Sequence, residues 1–483
     1  MSTNANAKNP NVAVWIKVVV MLILTFGIGY LPPFGQITPM GMKVLGAFVG
    51  TLFGWLTLDF IVSSFVGLLA LGMAGWAGGI AGTMAQGFSD STVVMMVFSF
   101  ILVAGLNKVD LTGALASWLL ARKSVQGKPY VILAVIFIVS YVVGAINGFA
   151  AILLMWSVMY KMADKVGWQK RSNVMAYLLT GIMFFAGSGQ YIFPWKGGSI
   201  MFASPMTGLG ITVPQVEWYL TVLISEIAFL IFWILLAFVM RLDFSAFKDK
   251  TLFDDMQGQK WSKQQLWGLG LFGFVILFLT IPEFLPVTPF VQAWKGFGII
   301  GASIIVLVAG YVISVDGERL FPNLAELCKE GMMWDVWIMI IATMPLSAAM
   351  KSADTGIITT IIGAATSVIG DMHWIMFTIV CAVVLGLLTQ VTHNIVIALV
   401  VFPPFLQLCM NMGGNPILWW FVNFWAIIAA YTTPAACGYS AILHGNSTWL
   451  SPKQAYGFGF GTLVVTWLGS FLILIPLYLL LFA

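Results

Sequence analysis

Two apolar stretches, 129–160 and 374–410, constrain this chain more than any other feature. Each is too long for a single membrane crossing, which takes roughly 17–25 residues, and each is interrupted near its middle by an asparagine. The first interruption reads Gly144-Ala145-Ile146-Asn147-Gly148 and the second Val391-Thr392-His393-Asn394. The asparagines stand 247 positions apart, about half of the 483 residues. Hydrocarbon offers an amide no hydrogen-bond partner, so each must be buried in protein or face a watery cavity. The polar turn lacks the charge and length of an ordinary loop. Each stretch therefore predicts a helical hairpin that enters and returns on the same side. A polar break at matching places in two halves points to a binding site between repeats.

The remaining apolar runs reach membrane length, which favours helices over a barrel of short alternating strands. They predict eleven spans near 14–31, 40–57, 60–79, 91–107, 174–190, 216–240, 264–281, 297–314, 332–350, 416–431 and 457–481. Charged residues make up only 8% of the chain and hydrophobic residues 60%, against about 25% charged in soluble domains. The fold class expected is an all-α polytopic membrane protein, and the first run reads as a retained helix rather than a cleaved signal. The four cysteines, Cys328, Cys381, Cys409 and Cys437, have neither close pairing nor metal spacing and read as packing residues.

Charge placement orients the chain. With the N-terminus in the cytoplasm, eighteen of the 22 basic residues fall on the cytoplasmic side, and only Lys43, Lys196, Lys295 and Lys351 fall elsewhere. Segments 108–128 and 161–171 are both basic, so the first hairpin opens inward. The flanks of the second are poor in Lys and Arg, so it opens outward, and the C-terminus is extracytoplasmic. The polar linker 241–263 divides an N-terminal segment with the first helix (1–39) and a first repeat (40–240) from a second repeat (264–483). Four markers recur in order: Lys108-Val-Asp-Leu-Thr-Gly113 with Lys351-Ser-Ala-Asp-Thr-Gly356, Asn147 with Asn394, Pro194 and Gly198 with Pro434 and Gly438, and Pro214 with Pro452. Five spans per repeat force opposite orientations, hence two inverted-topology repeats.

Besides the hairpin tips, two helices are interrupted, at Gly187–Gly198 and at Tyr431–Gly438. Proline removes a donor and obstructs a helix, and glycine loosens it. Unwound carbonyls can hold a cation, and the helix starts that follow can hold an anion. Lys196 lies in the first interruption. It either snorkels to the outer surface or stands as a fixed positive charge for an anionic substrate, in place of a sodium ion. His393 either titrates or packs between helices. Glu226, mid-span, reads as a neutral acid in helix packing or, alternatively, as a proton-coupling group. No nucleotide loop, metal cluster or catalytic triad is present. Lys196-Gly197-Gly198-Ser199 has the wrong spacing for a phosphate loop. Three dispersed histidines, His373, His393 and His444, do not supply an intramembrane enzyme, so no enzyme activity is expected.

With these elements the chain resembles the divalent anion:sodium symporter family of the ion transporter superfamily, over about residues 40–483. The resemblance rests on Ile146-Asn147-Gly148 and His393-Asn394-Ile395 at the tips, where both asparagines stand but the family's flanking Ser and Thr do not. It rests also on Pro194 with Gly197, and on Thr433-Pro434 with Gly438. It implies eleven spans, two re-entrant hairpins, two unwound helices and a homodimer whose transport domain moves against a scaffold. It implies secondary transport of a small di- or tricarboxylate by elevator-type alternating access, with cation-coupled symport first and sodium-independent exchange or proton coupling as alternatives. Carried over, it nominates Asn147, Gly148, Asn394 and Ile395 for substrate. Pro194, Lys196, Thr433 and Pro434 join them from the interrupted helices. Ala145, Ile146, Gly187, Ser188, His393 and Thr432 become neighbours of sodium sites. No resident cofactor beyond sodium and no nucleic-acid partner is expected. The expected surroundings are the lipid bilayer of the cell membrane.

Overall fold

The computed structural model describes residues 12–120, 127–249, 260–360, 363–364, 372–434 and 436–482. Part of the linker, 250–259, lies outside the described residues. The chain divides into two compact units: residues 1–94, 333–372 and 399–408 form one, and residues 95–332, 373–398 and 409–483 the other.

The protein is an all-α, membrane-embedded chain. Among the described residues six helices are long and apolar enough to cross a bilayer: Val12–Tyr30, Pro39–Thr57, Gln215–Val239, Lys263–Phe284, Pro289–Val312 and Pro452–Phe482. Two bent pairs, Ile80–Phe88 with Val93–Lys108 and Leu324–Gly331 with Trp334–Lys351, raise this to eight. The helix Gln215–Val239 shows why lipid is its solvent. Leu220, Leu223, Ile227, Ile231, Leu235 and Phe238 are exposed at three- and four-residue intervals, while Trp218, Ser225, Glu226, Phe229 and Trp233 are buried. A helix with its apolar stripe outward and its carboxylate inward fits hydrocarbon, not water.

Three sequence-expected spans come out as shorter helices. The run 60–79 is α-helical only over Phe60–Met73 and ends in a short 3-10 turn at Trp76–Gly78, because Gly75, Gly78 and Gly79 adopt positive φ. The runs 174–190 and 416–431 give Asn173–Gly189 and Pro416–Ile428. At 1.5 Å per residue, these three helices are about 20–26 Å long, short of a hydrocarbon core of roughly 30 Å.

In the first unit, Thr38 caps Pro39–Thr57 by accepting from Gly41 N at 3.0 Å, and Asp59 caps Phe60–Met73 through Ile61 N and Val62 N. Thr38 Oγ1 also donates to Asp354 O at 2.6 Å, and Gln36 N to Thr360 Oγ1 at 2.9 Å, tying the ends of these helices to 354–360. A Cβ on Gly46 would lie 2.7 Å from the Thr25 carbonyl, so the small residue sets the approach of 21–28.

Along the chain an order of elements repeats, a hairpin, a broken helix, then a long helix; all of it belongs to the second unit except 399–408, which the first unit takes from the second hairpin. The first hairpin is Pro129–Gly144 and Gly148–Val166, joined by 145–147. Its first arm runs parallel to Asn173–Gly189, with Phe137 beside Gly181 and Tyr141 beside Gly189. Its second arm runs antiparallel to the same helix, with Gly148 near Ala186 and Trp156 Nε1 donating to Leu179 O at 2.9 Å. The chain therefore turns back on itself at Asn147. The second hairpin begins with Trp374–Leu388, which runs parallel to Pro416–Ile428: Phe377 stacks on Trp419, and Thr389 Oγ1 donates to Ile427 O. After a break at 389–393, the helices Asn394–Val400 and Phe402–Asn411 bring Cys409 back beside Gly414 and Trp374. Each hairpin thus folds onto the helix that follows it.

The two sets of elements run in opposite directions. Along Gln215–Val239, Tyr478 donates to Glu217, Phe229 packs at Gly469, and Trp233 and Leu236 lie near Gly461, so the two long helices are antiparallel. The broken helices are antiparallel as well. Trp420 Nε1 donates to Phe202 O, Tyr431 packs on Phe184, and Arg171 binds Ser447 O. The base of the first hairpin meets the end of Gln215–Val239, where Tyr130 stacks on Phe238 and Trp168 packs on Phe247. The base of the second meets its start, where Asn415 and Glu217 share Tyr478. The bases are therefore roughly 30 Å apart, about the thickness of a hydrocarbon core.

Candidate functional site

The two hairpin tips and the two helix breaks come together in the second unit. Asn147 starts the second arm of the first hairpin as its N-cap, with Oδ1 accepting from Ala150 N at 3.1 Å. Gly148 lies against Tyr439: a Cβ there would be 2.6 Å from the hydroxyl oxygen, and Phe149 stacks on the same ring at 4.2 Å. At the other tip, Asn394 N donates to Ala436 O at 3.3 Å. The short stretch 436–439 is thus contacted by both tips.

Lys196 is buried, with 8% of its surface exposed. Its Nζ donates to the carbonyl of Ala145, the residue two before Asn147, at 2.7 Å. It forms no ion pair among the described residues. Phe193 and Trp195 stack at 4.7 Å beside it and belong to one apolar cluster with Ala145 and Ile146. Snorkelling is therefore not its role: the amine is held at a hairpin tip. Lys196 precedes the helix Gly197–Thr207, whose first amide donates to Ser99 Oγ at 2.8 Å. An ammonium without a counter-charge costs several kcal/mol to bury, and an anion beside it would offset that cost.

Gln390 joins the second tip to the second break. Its Nε2 donates to Gly386 O at 2.8 Å and Ala429 O at 2.9 Å, its Oε1 accepts from Thr432 N at 3.0 Å, and its carbonyl accepts from Thr433 Oγ1. Gln390→Leu removes the three side-chain bonds, to Gly386 O, Ala429 O and Thr432 N, and leaves the backbone bond from Thr433 in place. It is expected to destabilise the protein by about 2–4 kcal/mol, seen as a lowered midpoint of thermal unfolding in detergent.

The other sequence-nominated residues fall as follows. His393 Nδ1 accepts from Ile395 N at 3.3 Å, so the ring caps the short helix that follows. Thr432 Oγ1 is buried without a hydrogen-bond partner among the described residues, while Pro434 is exposed and Pro194 half-buried. A Cβ on Gly187 would lie 2.6 Å from the Tyr431 hydroxyl, and Ser188 Oγ donates back to Phe185 O at 3.1 Å. Ile146 is packed among apolar side chains, and the Ala145 carbonyl is taken by Lys196. Of the cysteines, three are buried and Cys328 is exposed.

Sequence reasoning gave no role to Gln390, Gln190 and Tyr439. Gln190 Nε2 donates to Gly187 O, and its side chain also meets Tyr439. Gln190 directly follows the end of an apolar helix and Gln390 follows one after Thr389, positions where a side-chain amide can satisfy freed backbone groups. Among the described residues no group of three or more His, Cys, Asp or Glu could hold a metal ion. Neither a scan against protein-family models nor a search of curated proteins finds a match for this chain.

Proposed function

We propose that this protein is a secondary active transporter of a small organic anion, a di- or tricarboxylate, working by cation-coupled symport and elevator-type alternating access. The observation that carries this reading is Lys196, a buried ammonium bonded to a tip carbonyl and paired with no carboxylate among the described residues. A buried amine at the tip that carries Asn147, with Asn394 at the other tip, suits a carboxylate, which supplies the counter-charge for the ammonium and accepts from N–H donors. The antiparallel pairs of long and broken helices support two inverted-topology repeats, with the site where their breaks meet. The hairpins, with bases at opposite ends of Gln215–Val239, support the re-entrant arrangement. Together these features support membership in the divalent anion:sodium symporter family, with its eleven spans and homodimer.

One geometric fact favours a second reading within the same class. The ammonium of Lys196 occupies the tip carbonyl that a sodium ion would use. Sodium coupling at the first tip is thereby weakened, so the carrier couples fewer sodium ions than two full sites would, or exchanges anions without sodium.

The test is uptake of labelled succinate, malate, citrate and sulfate by the purified protein in liposomes, with and without a sodium gradient. Saturable counterflow of at least one carboxylate is expected. Absence of counterflow for all four would overturn the transporter reading. Orientation is tested separately in a cysteine-free background. Cysteines at Lys165 and Lys248 should react only from the cytoplasm, and one at Lys295 only from outside. Labelling of position 248 from the exterior would overturn the proposed topology.

A further inference from the structure

Glu226 stands at the middle of Gln215–Val239, with only 6% of its surface exposed; neither carboxyl oxygen has a hydrogen bond of regular geometry among the described residues, and the Ser188 hydroxyl lies within reach of the carboxyl. It faces three elements that build the anion site. From the first hairpin arm comes Tyr141, whose hydroxyl is also buried and unpartnered, four residues before the Ala145 carbonyl that holds Lys196. From the last turn of the first broken helix comes Ser188, whose own proton goes to Phe185 O. From the second break comes Tyr431. Other titratable groups on elements packed against Gln215–Val239 are engaged elsewhere: Tyr130 stacks on Phe238 at its end, Tyr456 packs on His444, Tyr177 OH donates to Trp233 O at 2.8 Å, and Tyr478 donates to Glu217 near the start of the helix. Lys196 bonds to the tip, and His444 Nε2 lies 3.4 Å from the Tyr431 carbonyl.

We propose that Glu226 is the proton-binding site of this carrier, taking up one proton with the anion and releasing it on the other side. The inference rests on the transporter reading above and names its coupling ion. An ionised carboxylate buried without a donor or cation costs several kcal/mol, so the group must hold a proton or pair with a positive charge before its surroundings close. Two phenols and one hydroxyl stand about its carboxyl, and among the described residues it belongs to no group of three or more His, Cys, Asp or Glu that could hold a metal, a set better suited to a proton than to a metal cation. Coupling follows from shared parts. The arm that carries Tyr141 ends in the carbonyl released when Lys196 turns to an anion, so anion binding at the tip alters what faces the carboxyl, and reciprocally.

The experiment uses the full chain in sodium-free liposomes with a pH-sensitive dye inside and succinate outside. Wild type is expected to acidify the lumen as succinate enters, beyond the rate in protein-free liposomes. An inward gradient of one pH unit should raise steady-state accumulation up to roughly tenfold for one coupled proton. In Glu226→Gln, succinate counterflow should stay within about threefold of wild type while acidification is lost; Glu226→Asp, which keeps a carboxyl, should retain acidification. Counterflow with no acidification in wild type overturns the proton assignment and leaves the transporter reading standing. Acidification unchanged in Glu226→Gln, or a sodium dependence lost in that variant, also overturns it. No counterflow in wild type overturns both.

Discussion

Lys196→Met is expected to weaken anion binding by roughly 30- to 1,000-fold while leaving the ligand-free protein at least as stable as wild type. The two effects have opposite signs because they come from the same charge. In the empty protein the lysine is buried at the hairpin tip with the Ala145 carbonyl as its partner and no ion pair among the described residues, and removing a poorly compensated charge of this kind is neutral or stabilising. With a carboxylate bound, the same ammonium supplies a desolvated charge pair, and losing one member of such a pair costs about 2–4 kcal/mol. Titration with labelled succinate and thermal unfolding with and without ligand separate the two. Lys196→Arg should keep part of the affinity, since the charge remains although its shape does not. If Lys196→Met destabilised the empty protein and left affinity unchanged, the lysine would be a structural strut.

Asn147→Asp is expected to abolish transport without unfolding the protein. Aspartate caps a helix as well as asparagine, so the bond to Ala150 N survives, and the helix start favours its charge. What changes is the amide nitrogen, replaced by an anionic oxygen beside the proposed carboxylate. A loss of binding of 100-fold or more is expected from like-charge repulsion at a desolvated site. Asn147→Ala is the less informative variant, because it also removes the cap, worth about 1 kcal/mol. Asn394→Asp should behave in the same way, and the double variant should lose less than the sum of the two singles if both amides face one ligand. Uptake and monodispersity in detergent decide this; near-normal uptake by Asn147→Asp would remove that tip from the site.

The two hairpins were legible in the sequence because an asparagine inside a long apolar run has few physical options. The places where the helices give way were legible from Pro194 and Pro434, which obstruct a regular helix, whereas Gly198 and Gly438 fall in the first turns of the helices that follow the breaks. Span lengths were less so. Hydropathy around Phe60–Met73 continues past the helix, but the backbone at Gly75, Gly78 and Gly79 does not. The depth of Lys196 was open because a lysine after a break can turn either way, and only the packing of Phe193, Trp195 and Ile146 decides it. Gln390 and Glu226 were harder still. Gln390 matters through carbonyls freed about forty residues away, and Glu226 through the partners it lacks; local patterns encode neither.

The most direct test of the central claim is an electron cryo-microscopy map of the protein in lipid nanodiscs with saturating succinate. The predicted result is a ligand density in contact with Lys196 Nζ, which has left the Ala145 carbonyl, and within reach of the Asn147 and Asn394 amides. A map in which Lys196 stays on Ala145 while succinate binds elsewhere would contradict it.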